Sequence, residues 1–97
     1  MALRTFYDCS ALVTGASSGI GREIALQLAP DAGTLVLVAR RGERLAELRD
    51  EVALINPALG VHVRTCDLED PAQLDELVEW LDARRIALDL LVNNAGL

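Results

Sequence analysis

The sequence predicts an α/β fold in which three helices flank a partial, four-stranded parallel sheet. Short, continuously aliphatic runs alternate along the chain with segments whose apolar residues recur every three or four positions, which is the pattern of strands alternating with helices. The joints between these segments are short, as they are in right-handed crossovers between parallel strands. We therefore expect the strand order 3-2-1-4 and a single domain over residues 1–97.

The first strand and the first helix lie on either side of a glycine-rich turn. Residues 11–14 are apolar and end at Gly15, as expected for a short strand that is buried on both faces. Apolar residues at three- and four-residue spacing then predict a helix over residues 21–29. Pro30 ends this helix, because proline lacks the backbone N–H that a further turn requires.

The second strand is predicted over residues 35–39, a continuous aliphatic run that indicates burial on both faces. From Glu43 the apolar residues again recur in steps of three and four, with charged residues between them, which predicts a second helix up to the breaker Asn56-Pro57. Residues 61–65 then alternate between apolar and polar and predict the third strand.

The third helix has a well-marked start. Asp70 is a suitable N-cap residue and Pro71 suits the first helical position. Trp80 lies beside the apolar stripe of this helix, so we expect it to be partly buried, against the sheet or against a missing segment, and not to be a stacking platform. His62 should face the other side of its strand from its apolar neighbours, or solvent. The dense apolar run within residues 86–92 predicts the fourth strand.

Composition argues against several classes of partner. With 15 acidic against 9 basic residues and a net charge of -6, the chain lacks the clustered basic surface that binds nucleic acid or anionic membranes. No run approaches the roughly 20 apolar residues that span a bilayer, and we expect a cytoplasmic protein. Cys9 and Cys66 have neither C-x-x-C spacing nor a histidine cluster, so we predict reduced, partly buried thiols and no metal site.

The most informative segment is the turn between the first strand and the first helix. Its glycines allow a tight turn and let a phosphate approach the helix N-terminus, where unpaired N–H groups and the helix dipole favour an anion. The segment lacks the Gly-Lys-Ser/Thr ending of a nucleoside triphosphate loop. A turn that is glycine-rich for steric reasons alone is the alternative. Its residues are Thr14, Gly15, Ala16, Ser17, Ser18, Gly19, Ile20 and Gly21.

Two arginines, Arg40 and Arg41, directly follow the second strand. In a dinucleotide-binding fold this position holds either an acid that bonds the ribose 2′-hydroxyl of NAD or an arginine that accommodates the 2′-phosphate of NADP. Guanidinium groups pair with phosphate, whereas an acid would repel it. The sequence therefore favours NADP (NADPH), with NAD as the less favoured cofactor. The alternative is that both arginines cap the strand or pair with Glu43 and Glu47 on the surface.

Taken together, these motifs resemble the short-chain dehydrogenase/reductase family. The glycine-rich turn is similar to its cofactor motif, Asp67-Leu68 to its adenine-contacting acid, and Asn93-Asn94-Ala95-Gly96 to its Asn-Asn-Ala-Gly motif. The resemblance covers the chain from about Ala11 to Leu97. It implies a Rossmann-type sheet that binds its ligand outside the carboxyl ends of strands one and four.

The resemblance also implies which residues contact the cofactor. The glycine-rich turn would hold pyrophosphate and ribose, the two arginines the 2′-phosphate, and Asp67 with Leu68 the adenine. Asn93 would be a contact, whereas Asn94 is either a contact or an amide that bonds only the backbone. The implied cofactor-binding residues are Gly15, Ser17, Ser18, Gly19, Ile20, Gly21, Arg40, Arg41, Asp67, Leu68, Asn93, Ala95 and Gly96.

The family's reactive residues, a downstream serine and a Tyr-x-x-x-Lys pair, have no match in this sequence. The sole tyrosine, Tyr7, precedes the first strand and is expected to be a packing residue, and the chain contains no lysine. We therefore predict no catalytic residue here, but the cofactor-binding part of an NADP-dependent oxidoreductase that acts on an alcohol or carbonyl by hydride transfer.

Two further expectations concern the chain as a whole. We expect a sequence truncated after the fourth strand, inactive on its own and prone to self-association through that strand, whose parent is a homo-oligomer as is usual in the family. The alternatives are a non-catalytic NADP-binding or sensing module and a purely structural fragment without a ligand.

Overall fold

The computed structural model describes residues 7–17 and 19–94, without the side chain of Glu43, and it confirms the four-stranded parallel sheet with the order β3-β2-β1-β4. Every element except the last begins close to its predicted start. The elements are β1 (Ser10–Thr14), α1 (Gly19–Leu28), β2 (Thr34–Ala39), α2 (Gly42–Ile55), β3 (Gly60–Thr65), α3 (Pro71–Ala83) and β4 (Leu90–Val92).

The two central strands carry the core. Strand β1 pairs with β2 on one side and with β4 on the other. Side chains of β2 alternate between the two faces of the sheet: Leu35 and Leu37 join one apolar cluster, whereas Val36 and Val38 join the other. All four are essentially inaccessible to water. Burying each such side chain contributes about 1.5–3 kcal/mol, which explains why the sequence here is continuously aliphatic.

Helices α1 and α2 together cover one face of the sheet. Ala25 of α1 and the apolar stripe of α2 are buried in the cluster on this face. An ion pair between Arg22 and Glu51 joins the two helices. At their far ends the Nδ2 group of Asn56 donates a hydrogen bond to the carbonyl oxygen of Ala29, at 3.0 Å. This layer is therefore held by packing and by two polar contacts in the C-terminal part of α2.

Helix α3 is the one helix of the described residues on the other face. Its Leu77 is buried with Leu12 of β1, but the apolar surface nearby is only partly covered. Leu91 of β4 is 61% exposed, and Leu74 and Val78 of α3 are 41% and 49% exposed. In the described part of the chain, the two faces of the sheet are thus unequally protected from water.

Strand β4 begins at Leu90, so its predicted start at residue 86 was wrong. The backbone N–H of Asp89 donates to the carbonyl oxygen of Ser10 at 2.8 Å, and the Asp89 carboxylate accepts from the Ser10 N–H at 2.9 Å. Because β1 begins at Ser10, the residues that precede Asp89 have no strand beside them with which to pair. Ile86 and Leu88 pack instead against the cluster under α3, and that burial explains their apolar character.

Several single-residue predictions can be placed in this fold. Cys9 and Cys66 are free thiols and are buried. Trp80 is partly buried against the sheet, as predicted. Tyr7, which was expected to be a packing residue, is instead 62% exposed. None of the described helices has the length and apolar character needed to cross a bilayer.

Candidate functional site

The glycine-rich turn follows β1 at the carboxyl end of the sheet. Gly15 and Gly19 have φ values of +62° and +58°, a left-handed conformation that glycine adopts without steric strain. The backbone N–H of Ala16 donates to the carbonyl oxygen of Val38 at 3.1 Å, which anchors the turn on β2. A methyl group at Gly21 would collide with the carbonyl oxygen of Gly15. Helix α1 therefore lies closer to the turn than a residue larger than glycine at position 21 would allow.

The N-terminus of α1 opens beside this turn. The helix begins at Gly19, and no acidic residue lies in its first turn. The first N–H groups of a helix lack partners within the helix, and its dipole makes this end electropositive. Ser17 is half-buried next to it, and Ile20 is exposed. The arrangement suits an anion such as a phosphate.

Thr14 joins the carboxyl ends of β1 and β4. Its Oγ1 accepts a hydrogen bond from the backbone N–H of Asn94 at 2.8 Å and lies 3.2 Å from Oδ1 of Asn93. The side-chain Nδ2 of Asn94 donates to the carbonyl oxygen of Gly15 at 3.4 Å. The structure thus gives Asn94 a backbone-supporting contact, while Asn93 is exposed at the mouth of the cleft.

Thr14 was not among the predicted site residues, although it is only 3% exposed. A hydroxyl at the end of a buried strand must find a partner, so the sequence did carry a signal for its role. The partner itself could not be read from the sequence, because Asn94 lies 80 residues further along the chain.

Arginines cluster where β2 ends. Arg40 and Arg41 are exposed and line the same cleft as the glycine-rich turn. Arg41 is the N-cap residue of α2 and forms no side-chain capping hydrogen bond. Arg44, in the first turn of α2, also lines the cleft. It was missed from the sequence, although it lies three residues beyond Arg41 and hence on the same side of the first helical turn.

These three arginines have no partner among the described side chains. Among the side chains that the structure describes, Arg40, Arg41 and Arg44 form neither an ion pair nor a hydrogen bond. The predicted alternative of a pair with Glu47 is therefore not formed, and the side chain of Glu43 lies outside the described residues. Guanidinium groups that pair with no described side chain and line a cleft favour a ligand that carries phosphate.

The segment that follows β3, the neighbour of β2, also lines the cleft. Gln73 Oε1 accepts a hydrogen bond from the backbone N–H of Asp67 at 2.8 Å, and the Asp67 carboxylate accepts from the N–H of Glu69 at 3.0 Å. Asp70 caps α3 as predicted, accepting from the N–H of Ala72 at 3.0 Å. These contacts fix the segment that carries Asp67 and Leu68 into the cleft.

Cys66 lies just before this segment and also lines the cleft. Burial, with a further contribution from the nearby Asp67 carboxylate, raises the pKa of the Cys66 thiol. The thiolate is the reactive form of cysteine, so Cys66 stays protonated at neutral pH and is not an activated nucleophile. Its role here is to pack, not to react.

The strand ends border an open cleft of about 1200 Å³, which also extends over apolar residues between α3 and β4, among them Leu74, Val78 and Leu91. Gly21 does not line it, because it is buried beneath the turn. Ser18, Ala95 and Gly96 lie outside the described residues. The predicted cofactor-binding residues that line the cleft are Gly15, Ser17, Gly19, Ile20, Arg40, Arg41, Asp67, Leu68 and Asn93.

Comparison with known proteins gives consistent matches over nearly the whole chain. The family model for short chain dehydrogenases matches residues 10–97. Sulfoacetaldehyde reductase 2 of Chromohalobacter salexigens is 37% identical over 86 residues, which is 89% of this chain and 33% of that protein. The very-long-chain 3-oxoacyl-CoA reductase of Coccidioides immitis is 36% identical over 92 residues, 90% of this chain and 25% of that protein.

A solved structure agrees with these matches. The L-sorbose reductase of Gluconobacter frateurii, in complex with NADPH and L-sorbose, superposes with a TM-score of 0.86 and 35% identity, and the match covers 97% of this chain and 35% of that one. The chain thus spans about a third or less of the length of these relatives.

Proposed function

Because the chain belongs to the short-chain dehydrogenase/reductase family, we propose that it is the dinucleotide-binding part of an NADP-dependent oxidoreductase. The observation that carries the preference for NADP is the arginine cluster at the end of β2, whose three guanidinium groups form no ion pair with any described carboxylate. The substrate class that we propose for the whole protein is an alcohol or carbonyl compound.

The residues around the turn fit a pyrophosphate. A side chain at Gly21 would fill the space between α1 and the turn, and the absence of one lets α1 approach with its N–H groups facing the cleft. Such a helix end supplies several hydrogen-bond donors and a partial positive charge to one anion. We assign this role to the backbone of Gly15, Gly19 and Ile20 and to the hydroxyl of Ser17.

The arginines would distinguish the two dinucleotides. NADP carries a 2′-phosphate where NAD carries a hydroxyl, and a guanidinium binds phosphate through charge-assisted hydrogen bonds worth about 1.5–3 kcal/mol each. Arg40 and Arg41 lie directly after β2, and Arg44 lies one turn into α2. On a chain of net charge -6, this local cluster is what would attract a multiply charged anion to the cleft.

The walls of the cleft would position the adenosine. Asp67 and Leu68 stand on the segment fixed by Gln73, and Asn93 follows β4 on the other side of the turn. When bound, the nicotinamide would supply hydride transfer. The described residues supply binding and orientation, and none of them forms a Tyr-x-x-x-Lys pair.

The experiment is a titration of NADPH and NADH into the purified chain. We expect NADPH to bind at least about tenfold more tightly, since one charge-assisted hydrogen bond is worth that factor. Arg40→Asp should abolish or invert this preference, because a carboxylate repels the 2′-phosphate and accepts a hydrogen bond from the 2′-hydroxyl.

Arg49→Asp is the matched control, because it makes the same charge change on the exposed surface of α2 outside the cleft. The two dinucleotides should keep their affinity ratio in this variant. Equal affinity of the unaltered chain for NADPH and NADH would refute the assignment of the arginines.

A non-catalytic module that senses NADP is the second candidate, because the residues that line the cleft would serve cofactor binding in either protein. Cofactor titrations do not separate it from the enzyme, because both bind the dinucleotide. The coding sequence beyond position 97 does: a serine and a Tyr-x-x-x-Lys pair there support the oxidoreductase, and a stop codon supports the module.

A further inference from the structure

A second polar surface lies at the opposite edge of the sheet from β4. Strand β3 pairs only with β2 in the described sheet, and its residues are partly or fully exposed from end to end, whereas β2 is buried from Leu35 to Ala39. Its two valines pack on the side of α2, so the alternation of a strand turns His62 and Arg64 toward α3. The polar edge of the sheet is thus accessible.

Four side chains form a cluster at this edge, which we call the edge cluster: His62, Arg64, Trp80 and Arg84. The Cζ atoms of Arg64 and Arg84 lie 5.0 and 5.3 Å from the centroid of the Trp80 ring. The His62 ring meets the same indole edge-on, with centroids 5.3 Å apart. Contact with an aromatic face holds a guanidinium in place through cation–π attraction, and Arg84 is also the C-cap residue of α3.

The two guanidinium groups hold their positions without an acceptor. Within residues 7–17 and 19–94, the guanidinium groups of Arg64 and Arg84 form neither an ion pair nor a hydrogen bond, although those of Arg22 and Arg49 do pair with carboxylates. A guanidinium has five N–H donors, and stacking on an indole uses none of them. The edge cluster therefore presents two ordered cations on a chain with an acidic excess.

The edge cluster is separate from the cofactor cleft, because none of its four members lines that cleft. It adjoins instead the outer backbone edge of β3. An exposed strand edge can add an extended peptide through main-chain hydrogen bonds, and neighbouring side chains then select the sequence of that peptide.

We propose that the edge cluster and the edge of β3 form a docking surface for an extended, acidic segment of a partner protein. Carboxylates of the segment would lie against Arg64 and Arg84, and its backbone would pair with β3. The positive charges of Arg64 and Arg84 complement the negative charges of an acidic segment, and this complementarity favours such a segment as the occupant. A second copy of the chain is disfavoured, because a two-fold pairing of β3 edges would set each edge cluster against its own like charges.

Trp80 supplies a direct readout, because it is the sole tryptophan of the chain and both arginines contact it. The probe is a peptide of about eight residues, long enough to pair along β3, in which valine and glutamate alternate. We expect a saturable change in Trp80 fluorescence with this peptide and none with the peptide in which glutamine replaces glutamate.

Variants of the chain test whether the peptide binds at the edge cluster. Arg64→Gln combined with Arg84→Gln should weaken binding of the glutamate peptide by at least about tenfold, the loss of one or more charge-assisted hydrogen bonds. Arg49→Gln is the matched control and should bind as the unaltered chain does. Arg84→Lys, which keeps the charge and the helix end, should retain most of the binding, and far-ultraviolet circular dichroism checks that each variant is folded.

Three outcomes would overturn the proposal. They are no response to the glutamate peptide, an equal response to the glutamine peptide, and full competition by inorganic phosphate, which would indicate a site for small anions. A loss of binding that Arg49→Gln shares would also count against it. Cofactor titrations of the same variants are independent of this test, so failure here leaves the assignment of the cleft unaffected.

Discussion

The hydroxyl of Thr14 connects the two strands whose ends flank the glycine-rich turn. It accepts from the backbone N–H of Asn94, and the Asn94 amide in turn reaches the carbonyl oxygen of Gly15. The distance between β4 and the turn is thus set by two side chains. These residues line the cleft at the ends of β1 and β4, whereas the arginines line it at the end of β2.

Replacing Thr14 by valine should therefore affect both dinucleotides alike. The substitution keeps the shape of the side chain but leaves the N–H of Asn94 without its acceptor, at a cost of about 1–3 kcal/mol in the free energy of unfolding. Urea unfolding measures that cost. NADPH and NADH should weaken by similar factors, whereas Arg40→Asp changes their ratio. Thr14→Ser keeps the hydroxyl, and a loss as large as that of valine would contradict the role assigned to it.

For single residues, the sequence predicted those features that depend on the residue type and on neighbouring positions. The tight turn that contains Gly15 and Gly19, both left-handed in the structure, and the position of Arg40 and Arg41 after β2 belong to this group. Thr14 and Arg44 were missed for a physical reason. The role of a hydroxyl depends on a partner brought to it by the fold, and the direction of Arg44 depends on where the first turn of α2 points.

Some helices and strands begin where neighbouring residues in the sequence determine it, and others begin where a distant strand determines it. The start of α3 depends on Asp70 and Pro71 alone, which are adjacent in sequence. The start of β4 depends on where β1 begins, because a strand needs a neighbour for its hydrogen bonds. For this reason the N-cap was predicted correctly and the first residue of β4 was not.

The cap at Asp70 gives a prediction for α3. Asp70→Ala removes the acceptor for the N–H of Ala72 and the contact with Gln73, and should lower the free energy of unfolding by about 1 kcal/mol. Thermal or urea unfolding measures the difference. Asp70→Asn retains a capping oxygen and should recover most of it. An unchanged stability in Asp70→Ala would mean that the end of α3 is held by packing alone.

At the scale of the whole molecule, the sheet is covered unequally. Two helices pack on one face and one helix on the other, where Leu74, Val78 and Leu91 remain in contact with water. Strand β4 also has no neighbour on its outer side among the described residues. Exposed apolar patches and open strand edges both promote association between copies.

We therefore expect the purified 97-residue chain to self-associate with increasing concentration. Leu91→Glu should shift the equilibrium toward monomer, because it places a charge on the open face at the edge strand. Sedimentation velocity over a range of concentrations measures this shift. Leu54→Glu is the matched control, since Leu54 is 85% exposed at the end of α2. A monomer at all concentrations, or equal effects of the two substitutions, would refute the expectation.

The central position of β1 also bears on the order of folding. It pairs with β2 across a single helix but with β4 across three, and closing a longer loop costs more entropy before its contacts form. We therefore expect β1, α1 and β2 to assemble early and β4 to dock late. The contact between Thr14 and Asn94 closes in that last step, so the cofactor would act as a ligand of the finished sheet and drive its completion.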